Sequence, residues 1–360
     1  MTRDFLIVGG GIAGISAAAR LSELGSVTLV EQEANLAHHA SGRSAAMYEP
    51  YYGKAPVVAL SLASGDHMRG HDGGFLSPRG LMILSDGSDA AAFHDEIASL
   101  HVDEVSVAEA CAMVPILNPA AVRLVAVAMN AWDIDTDRLI QSFLRAAKGR
   151  GAEVMTGAPV TAIRRDGGLW VADTPKGAIA ARVLVNAAGP WADHVAAMAG
   201  VRPFGFTPYR RSMARIPAPG GHDVSGWPMT FGAGETWYAK PDAGALIVSP
   251  AEEHLMKPHD AWADDMVLAE GLARYEAMVT EPVTRLLASW AGLRTFSPDR
   301  VPVIGRDPSV PDFVWLAGQG GYGFQSSPGA SRLVADLIAG RAPEIDAETV
   351  AALSPDRFGA

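Results

Sequence analysis

Three glycines, at positions 9, 11 and 14, constrain this chain more than any other feature. They sit in "DFLIVGGGIAGISAAARL" (4–21), where an apolar run stops at glycine and gives way to small residues punctuated by Ile12, Ile15, Ala19 and Leu21. The first part reads as a buried strand and the second as a helix packed closely on a sheet. "SVTLVE" (26–31) follows as a second strand and closes a βαβ unit of the usual ~30 residues. Within it Gly9 allows the tight turn, Gly11 lets the backbone approach a pyrophosphate, and Gly14 lets helix and strand close up. The helix start at Ile12 and Ala13 offers N–H groups and a positive dipole end to phosphate. Glu31, ending the second strand, is placed to accept hydrogen bonds from ribose hydroxyls and would repel a 2′-phosphate. The unit predicts a dinucleotide site, disfavours NADP, and leaves FAD and NAD open.

Composition narrows the partners. Against 29 Lys and Arg stand 40 Asp and Glu, a net charge of −11 with no basic cluster. Nucleic acid and anionic membrane surfaces are therefore poor partners. No apolar run reaches the ~18–20 residues of a membrane span. The opening run is broken by Gly9, Gly10 and Gly11 and follows Asp4, which argues against a secretion signal. Cys111 has no second cysteine to pair with and reads as a buried structural thiol in the last turn of a helix. A cytoplasmic location is expected.

At 360 residues, two domains are expected. "SGRSAA" (41–46) suits a loop or helix start facing a phosphate or ring. His38 and His39, just before it, read as a solvent-facing pair, because no third metal ligand stands at a supporting spacing. Residues 88–115 read as helix. Another helix starts at an Asp/Thr cap near 135 and ends by Gly151. Strands are expected at 152–156, 159–164, 169–173 and 182–186. From 204 to 287, "RRSMARI", "TWYAKPD" and "GALIVSP" read as antiparallel strands. Finally "FVWLAG" (313–318) runs into "QGGYGFQSS", a second glycine-rich turn opening a helix. Two such turns, near opposite ends of the chain, fit one large cofactor held by both.

The motifs "FLIVGGGIAGISAA", "SGRSAAMYEPYYG", "VLVNAAGPWAD", "WAGLRTFSPDRVPVIG" and "GQGGYGFQSS" together resemble the D-amino-acid oxidase-type family of FAD enzymes, which includes glycine and sarcosine oxidases. Within that family they most resemble the bacterial D-arginine and broad-specificity D-amino-acid dehydrogenases. The resemblance implies a Rossmann-type α/β domain binding noncovalent FAD (1–48, 134–203 and 288–360). It also implies a substrate domain on a large mixed or antiparallel sheet (49–133 and 204–287). It assigns Gly9, Gly11, Ile12, Ala13, Gly14 and Glu31 to the ADP half. Ser41, Arg43, Ser44 and Ala45 would approach the phosphates and flavin, Val160 the adenine end, and Ala188 and Gly189 the cofactor tunnel. Gly320, Gly321, Gly323, Phe324 and Gln325 would approach the ribityl chain and ring.

The same resemblance assigns substrate-carboxylate binding to Arg211 and Arg294, with Tyr238 and Tyr52 contacting the carboxylate and roofing the pocket. A guanidinium fork can hold both oxygens of a carboxylate at once. Arg210 competes with Arg211 for its assignment. Tyr322 joins the pocket through the "GGYG" turn. Three positions depart from the D-arginine enzymes: Met47 replaces a histidine beside the amine, Leu81 a glutamate that meets the guanidinium group, and Phe231 a smaller aliphatic. Glu49 replaces a smaller polar residue on the lid; it reads as an exposed loop charge, with a substrate contact as the alternative.

These readings predict an FAD-dependent D-amino-acid dehydrogenase or oxidase preferring uncharged side chains to D-arginine. Hydride would pass from Cα to flavin N5, and the imino acid would hydrolyse to a 2-oxo acid and ammonia. A quinone or other carrier is favoured as electron acceptor, with oxygen as the alternative. The same fold would also serve an N-substituted glycine, an imino acid or a 2-hydroxy acid. An NAD-dependent dehydrogenase and a non-catalytic flavoprotein subunit are the readings from other classes.

Overall fold

The computed structural model describes Thr2–Gly359. Its first sheet has eight strands. Thr2–Val8 lies between Val27–Val30 and Gly177–Asn186 and runs parallel to both, with Val8 opposite Val30 and Asn186. Phe313–Ala317 continues the parallel set beside the end of Gly177–Asn186. Glu153–Met155 flanks Val27–Val30 on the other side. Five parallel strands thus end along one edge, where Gly9–Gly11, Glu31, Ala187–Gly189 and Gly318–Gly321 follow four of them. That carboxyl edge is where open parallel sheets bind ligands.

Helices Ile12–Leu21, Thr136–Gly149 and Gly323–Ala339 cover one face, packing Ile15, Leu139, Phe143, Leu333 and Val334 against Ile7, Leu29 and Val314. Asp135 caps the second of these helices by accepting from Arg138 N at 3.0 Å. The opposite face buries Trp170, Phe313 and Trp315 with Phe204 and Phe206.

The second sheet has nine strands. It is mixed, since Met229–Gly232 pairs in parallel with Leu81–Ser85 and antiparallel with Tyr238–Asp242. Ala288–Phe296, expected in the cofactor domain, instead pairs with Thr207–Pro217 along its whole length. From Trp290 to Thr295 its residues alternate between half-buried and buried, as a strand with two different faces requires. Met47–Tyr48, also expected there, pairs with Trp132–Ile134 in a separate small sheet.

The expected single helix over 88–115 is two helices, Ala90–Leu100 and Val107–Met113. His101 adopts a left-handed φ of 53° that ends the first, and Asp103–Val105 pairs as a strand with Leu124–Ala128. A Ser106–Glu109 capping box starts the second. Cys111 lies inside that second helix, half-buried, with Sγ 3.9 Å from the Leu117 carbonyl. Among the described residues, no helix is long and apolar enough to cross a membrane.

Candidate active site

One elongated cavity runs from the carboxyl edge of the first sheet to a face of the second. At its first end, Gly9 turns the chain at φ 111°, and a Cβ there would lie 2.3 Å from the Ala187 carbonyl oxygen. A Cβ on Gly14 would lie 1.9 Å from the Gly9 carbonyl oxygen, so helix and turn touch through backbone. Gly14 itself is buried behind the cavity lining. Helix Ile12–Leu21 begins at Gly11 without a side-chain cap of its own. Ser41 Oγ, from the neighbouring loop, accepts from Ile12 N at 3.0 Å. The Glu31 carboxylate accepts from Gly10 N at 2.6 Å and Glu33 N at 2.9 Å.

The walls between the ends bring together Ala13, Ser44, Ala45, Val160, Ala188, Gly189, Gly320, Gly321, Gly323, Phe324 and Gln325, drawn from distant parts of the chain. A helix start with no side-chain cap of its own, a carboxylate at the second strand's end and a glycine-lined tunnel fit a dinucleotide lying across the sheet edge. Arg43 also lines this cavity, with its guanidinium bonded to protein partners. Those partners are Asp260 and the carbonyls of His38, Ala261 and Ala291, so it fastens the 41–46 loop.

At the far end the second sheet supplies the polar groups. Arg211 is 3% exposed, and its closest carboxylate oxygen, Oε1 of Glu253, is 3.5 Å away. That glutamate is already gripped by Arg300 at 2.8 and 2.9 Å. Arg211 Nε and the Tyr238 hydroxyl are buried without a partner. Burial first, and then the neighbouring Arg294 charge, push the Arg211 pKa below its usual value. Arg210 points to the other face, against Glu252 and His254, which settles which of the two lines the cavity.

Arg294 is half-buried beside the glycine turn, and a Cβ on Gly321 would come within 3.0 Å of its Cζ. Among the described residues no carboxylate lies within ion-pair distance of Arg294. Tyr52 donates to Glu235 Oε2 at 2.9 Å, and its ring stands 5.2 Å from that of Tyr322. Tyr322 stays behind Tyr52 rather than on the cavity wall. Two cationic forks with almost no protein counter-charge amount to a prepared anion site, because an unpaired buried charge is costly until an anion arrives.

Apolar groups close the rest of this end: Met47, Leu81, Phe231, and also Met213, Met229 and Leu100, which the sequence reading missed. Met213 was within reach of it, since it lies two residues after Arg211 on the same strand and so on the same face. Glu235 was not, because an exposed loop residue at φ 51° leaves no periodic signal.

Two expectations are corrected. Glu49 is 5% exposed and lines the cavity, so it is not an exposed loop charge. His38 and His39 do meet a third potential ligand, Glu33, with all three ligand atoms within 4.8 Å of one another. Spacing could not show this, because the fold of the 31–39 loop makes the contact. His39 bonds Glu33 at 2.9 Å and packs on Trp191 with ring centroids 4.7 Å apart, so it is less exposed than a solvent-facing residue.

Residues 4–337 match the family profile described as FAD dependent oxidoreductase, the DAO family. This chain belongs to the DAO family. It is 27% identical over 378 residues to sarcosine oxidase subunit beta of Rhizobium meliloti, covering 99% of this chain and 88% of that one. It is 25% identical over 400 residues to mitochondrial dimethylglycine dehydrogenase of Homo sapiens, covering 99% of this chain but only 44% of that longer one. Glycine oxidase from Geobacillus kaustophilus shares the fold, with a TM-score of 0.83 at 24% identity over 98% of both chains. The cofactor of the cavity in this DAO-family enzyme is FAD, and the protein is an FAD-dependent oxidoreductase.

Proposed function

We infer that this enzyme oxidises D-amino acids with uncharged side chains to 2-imino acids, which hydrolyse to 2-oxo acids and ammonia. The observation that carries the reading is the pair of guanidiniums, Arg211 and Arg294, which share one face of the second sheet and line the cavity with Tyr52 and Tyr238 beside an apolar wall. A substrate carboxylate answers both charges, and its position orients the α-carbon. Leu81, Phe231 and Met213 then surround the side chain without offering it a charge, which disfavours D-arginine.

Bound FAD supplies the two-electron acceptor for the Cα–H bond. The protein's part is to fix the carboxylate, enclose the side chain and keep water from the reacting carbon. A quinone or other carrier is the proposed oxidant of the reduced enzyme.

A second reading, oxidation of an N-methylated glycine, is supported by the likeness to sarcosine oxidase subunit beta and dimethylglycine dehydrogenase. The same carboxylate clamp serves it, with the apolar wall receiving the N-methyl group. Anaerobic bleaching of the flavin by D-alanine, D-methionine, D-arginine, their L-forms, glycine and sarcosine separates the two. Fastest bleaching by an uncharged D-amino acid supports the first reading. Fastest bleaching by sarcosine replaces it with the second, and fastest bleaching by D-arginine defeats the specificity argument.

A further inference from the structure

Glu49 is the one cavity carboxylate that the carboxylate clamp and the cofactor cradle leave unexplained. Its backbone is locked between them. Its N–H donates to Gln325 Oε1 at 3.2 Å, its carbonyl accepts from Tyr52 N at 3.1 Å, and Gln325 Nε2 donates to the Tyr52 carbonyl at 3.3 Å. Lys240 steadies the preceding residues by donating to the carbonyls of Ala45 and Ala46 while pairing with Asp133 at 2.8 Å. Met47 and Glu49, two residues apart, both line the cavity.

The side chain is less satisfied than the backbone. Oε1 accepts from Tyr51 N at 3.1 Å, but Oε2 is buried with no partner. Among the described residues no cation stands within ion-pair distance of it. Tyr48, Tyr51 and Tyr52 are the titratable neighbours on its own segment, and His101 meets the Tyr51 ring edge to face with centroids 4.6 Å apart. Gln325 is what the helix Gly323–Ala339 presents to it, Leu81 and Leu100 are neutral, and the charged groups of the cavity end are Arg211 and Arg294 of the clamp and Glu235, which accepts from Tyr52. Burial pushes the Glu49 carboxyl up to about 7, a shift the Tyr51 N–H only partly offsets.

We propose that Glu49 accepts the proton released by the substrate's amino nitrogen, a role that rests on the amine-oxidation reading above. The amine is bonded to the same carbon that carries the carboxylate. With its backbone bonded to the clamp residue Tyr52 and the cofactor-turn residue Gln325 and the residue lining the cavity, Glu49 is assigned to the amine rather than to the substrate side chain. An α-ammonium has no free electron pair, so a C=N bond forms only after one N–H proton leaves. Glu49 takes that proton and becomes the neutral acid. The nitrogen pair then forms the C=N bond as hydrogen and both electrons of the Cα–H bond leave to the oxidised cofactor. The balance is complete with the proton on Glu49, because bound FAD would accept the α-hydrogen together with its electron pair. The acid–base group that Met47 does not provide is thereby supplied two residues further along.

The test compares the FAD-loaded wild-type, Glu49→Gln and Glu49→Asp proteins. Anaerobic flavin reduction by D-alanine and by sarcosine is followed from pH 5.5 to 9, with acetate binding read from the flavin spectrum as a control for the clamp. The wild-type reduction rate is expected to rise with pH through a limb near 7. Glu49→Gln is expected to lose that limb and to be roughly a hundredfold slower or more at pH 8, with acetate binding unchanged. Glu49→Asp is expected to restore a limb at a shifted pH.

A readout independent of turnover comes from stability. A carboxyl raised on folding supports the fold below its unfolded pKa and ceases to as pH rises through its folded pKa. Glu49→Gln is therefore expected to raise Tm at pH 8 more than at pH 5. An unchanged reduction limb in Glu49→Gln overturns the proposal, and so does an equal Tm change at both pH values. Loss of acetate binding in that variant overturns it in favour of a structural role. A wild-type flavin that binds acetate but that no amine reduces removes the amine-oxidation reading itself, and this proposal with it.

Discussion

Arg211 and Arg294 lie on adjacent antiparallel strands two residues out of step, Arg211 opposite Gly292 and Arg294 opposite Tyr209. Residues two apart share a face, so this register alone aims both guanidiniums at the same side of the sheet. Gly292, directly opposite Arg211, faces the Ala40–Arg43 turn, where an added Cβ would lie 3.6 Å from the Arg43 Cβ. Tyr238 reaches the same face because it pairs with Phe231, which with Leu81 and Met213 forms the apolar wall.

Arg294→Ala is expected to lower kcat/KM by on the order of a hundredfold to a thousandfold, the usual cost of truncating one partner of a buried charge-assisted contact. Arg294→Lys should recover only part of this, since an ammonium cannot form the two-pronged contact. Steady-state kinetics with the best substrate, alongside acetate binding, checks it. Near-normal acetate affinity in Arg294→Ala would show that the carboxylate binds elsewhere.

Gly14→Ala is expected to abolish FAD retention. The added methyl would lie 1.9 Å from the Gly9 carbonyl, and a backbone atom in a phosphate turn cannot yield without displacing the turn. Flavin absorbance of the purified protein gives the answer, and a full complement of FAD would contradict the observed packing.

Leu81→Glu is expected to raise the ratio of D-arginine to D-alanine turnover, measured as kcat/KM. The side chain is 4% exposed on the apolar wall, so an added carboxylate there is uncompensated until a cationic substrate arrives. An unchanged ratio would mean that the substrate side chain does not reach Leu81.

His67 carries an acid-stability signature. Burial, and then the neighbouring His71, hold its imidazole down at about 4, and it stacks 5.1 Å from Phe143. Its folded pKa lies below the unfolded value of ~6.5, so the unfolded chain takes up a proton first as pH falls. The contribution is complete above about 6.5 and is lost progressively towards about 4. His67→Phe is expected to show a smaller drop in Tm between pH 7 and pH 5 than the wild type. Parallel drops would place the acid sensitivity elsewhere.

How much of this could be read from the chain follows from the range over which each feature is encoded. Gly9, Gly11, Gly14 and Glu31 were legible because strand, turn, helix and strand are consecutive and each glycine answers a local demand. The helix over Thr136–Gly149 was legible for the same reason, through its Asp135 cap and its stop by Gly151. Arg210 and Arg211 are adjacent in sequence, and only pairing with Ala288–Phe296 separates the one held by Glu252 from the one facing the cavity. That strand's membership in the second sheet, the burial of Glu49 under Gln325, and the meeting of Glu33 with His38 and His39 all arise from folding around the motifs. A residue's neighbours along the chain set its backbone preference. Which face it presents, and whether its charge is buried, depends on which distant segment packs against it.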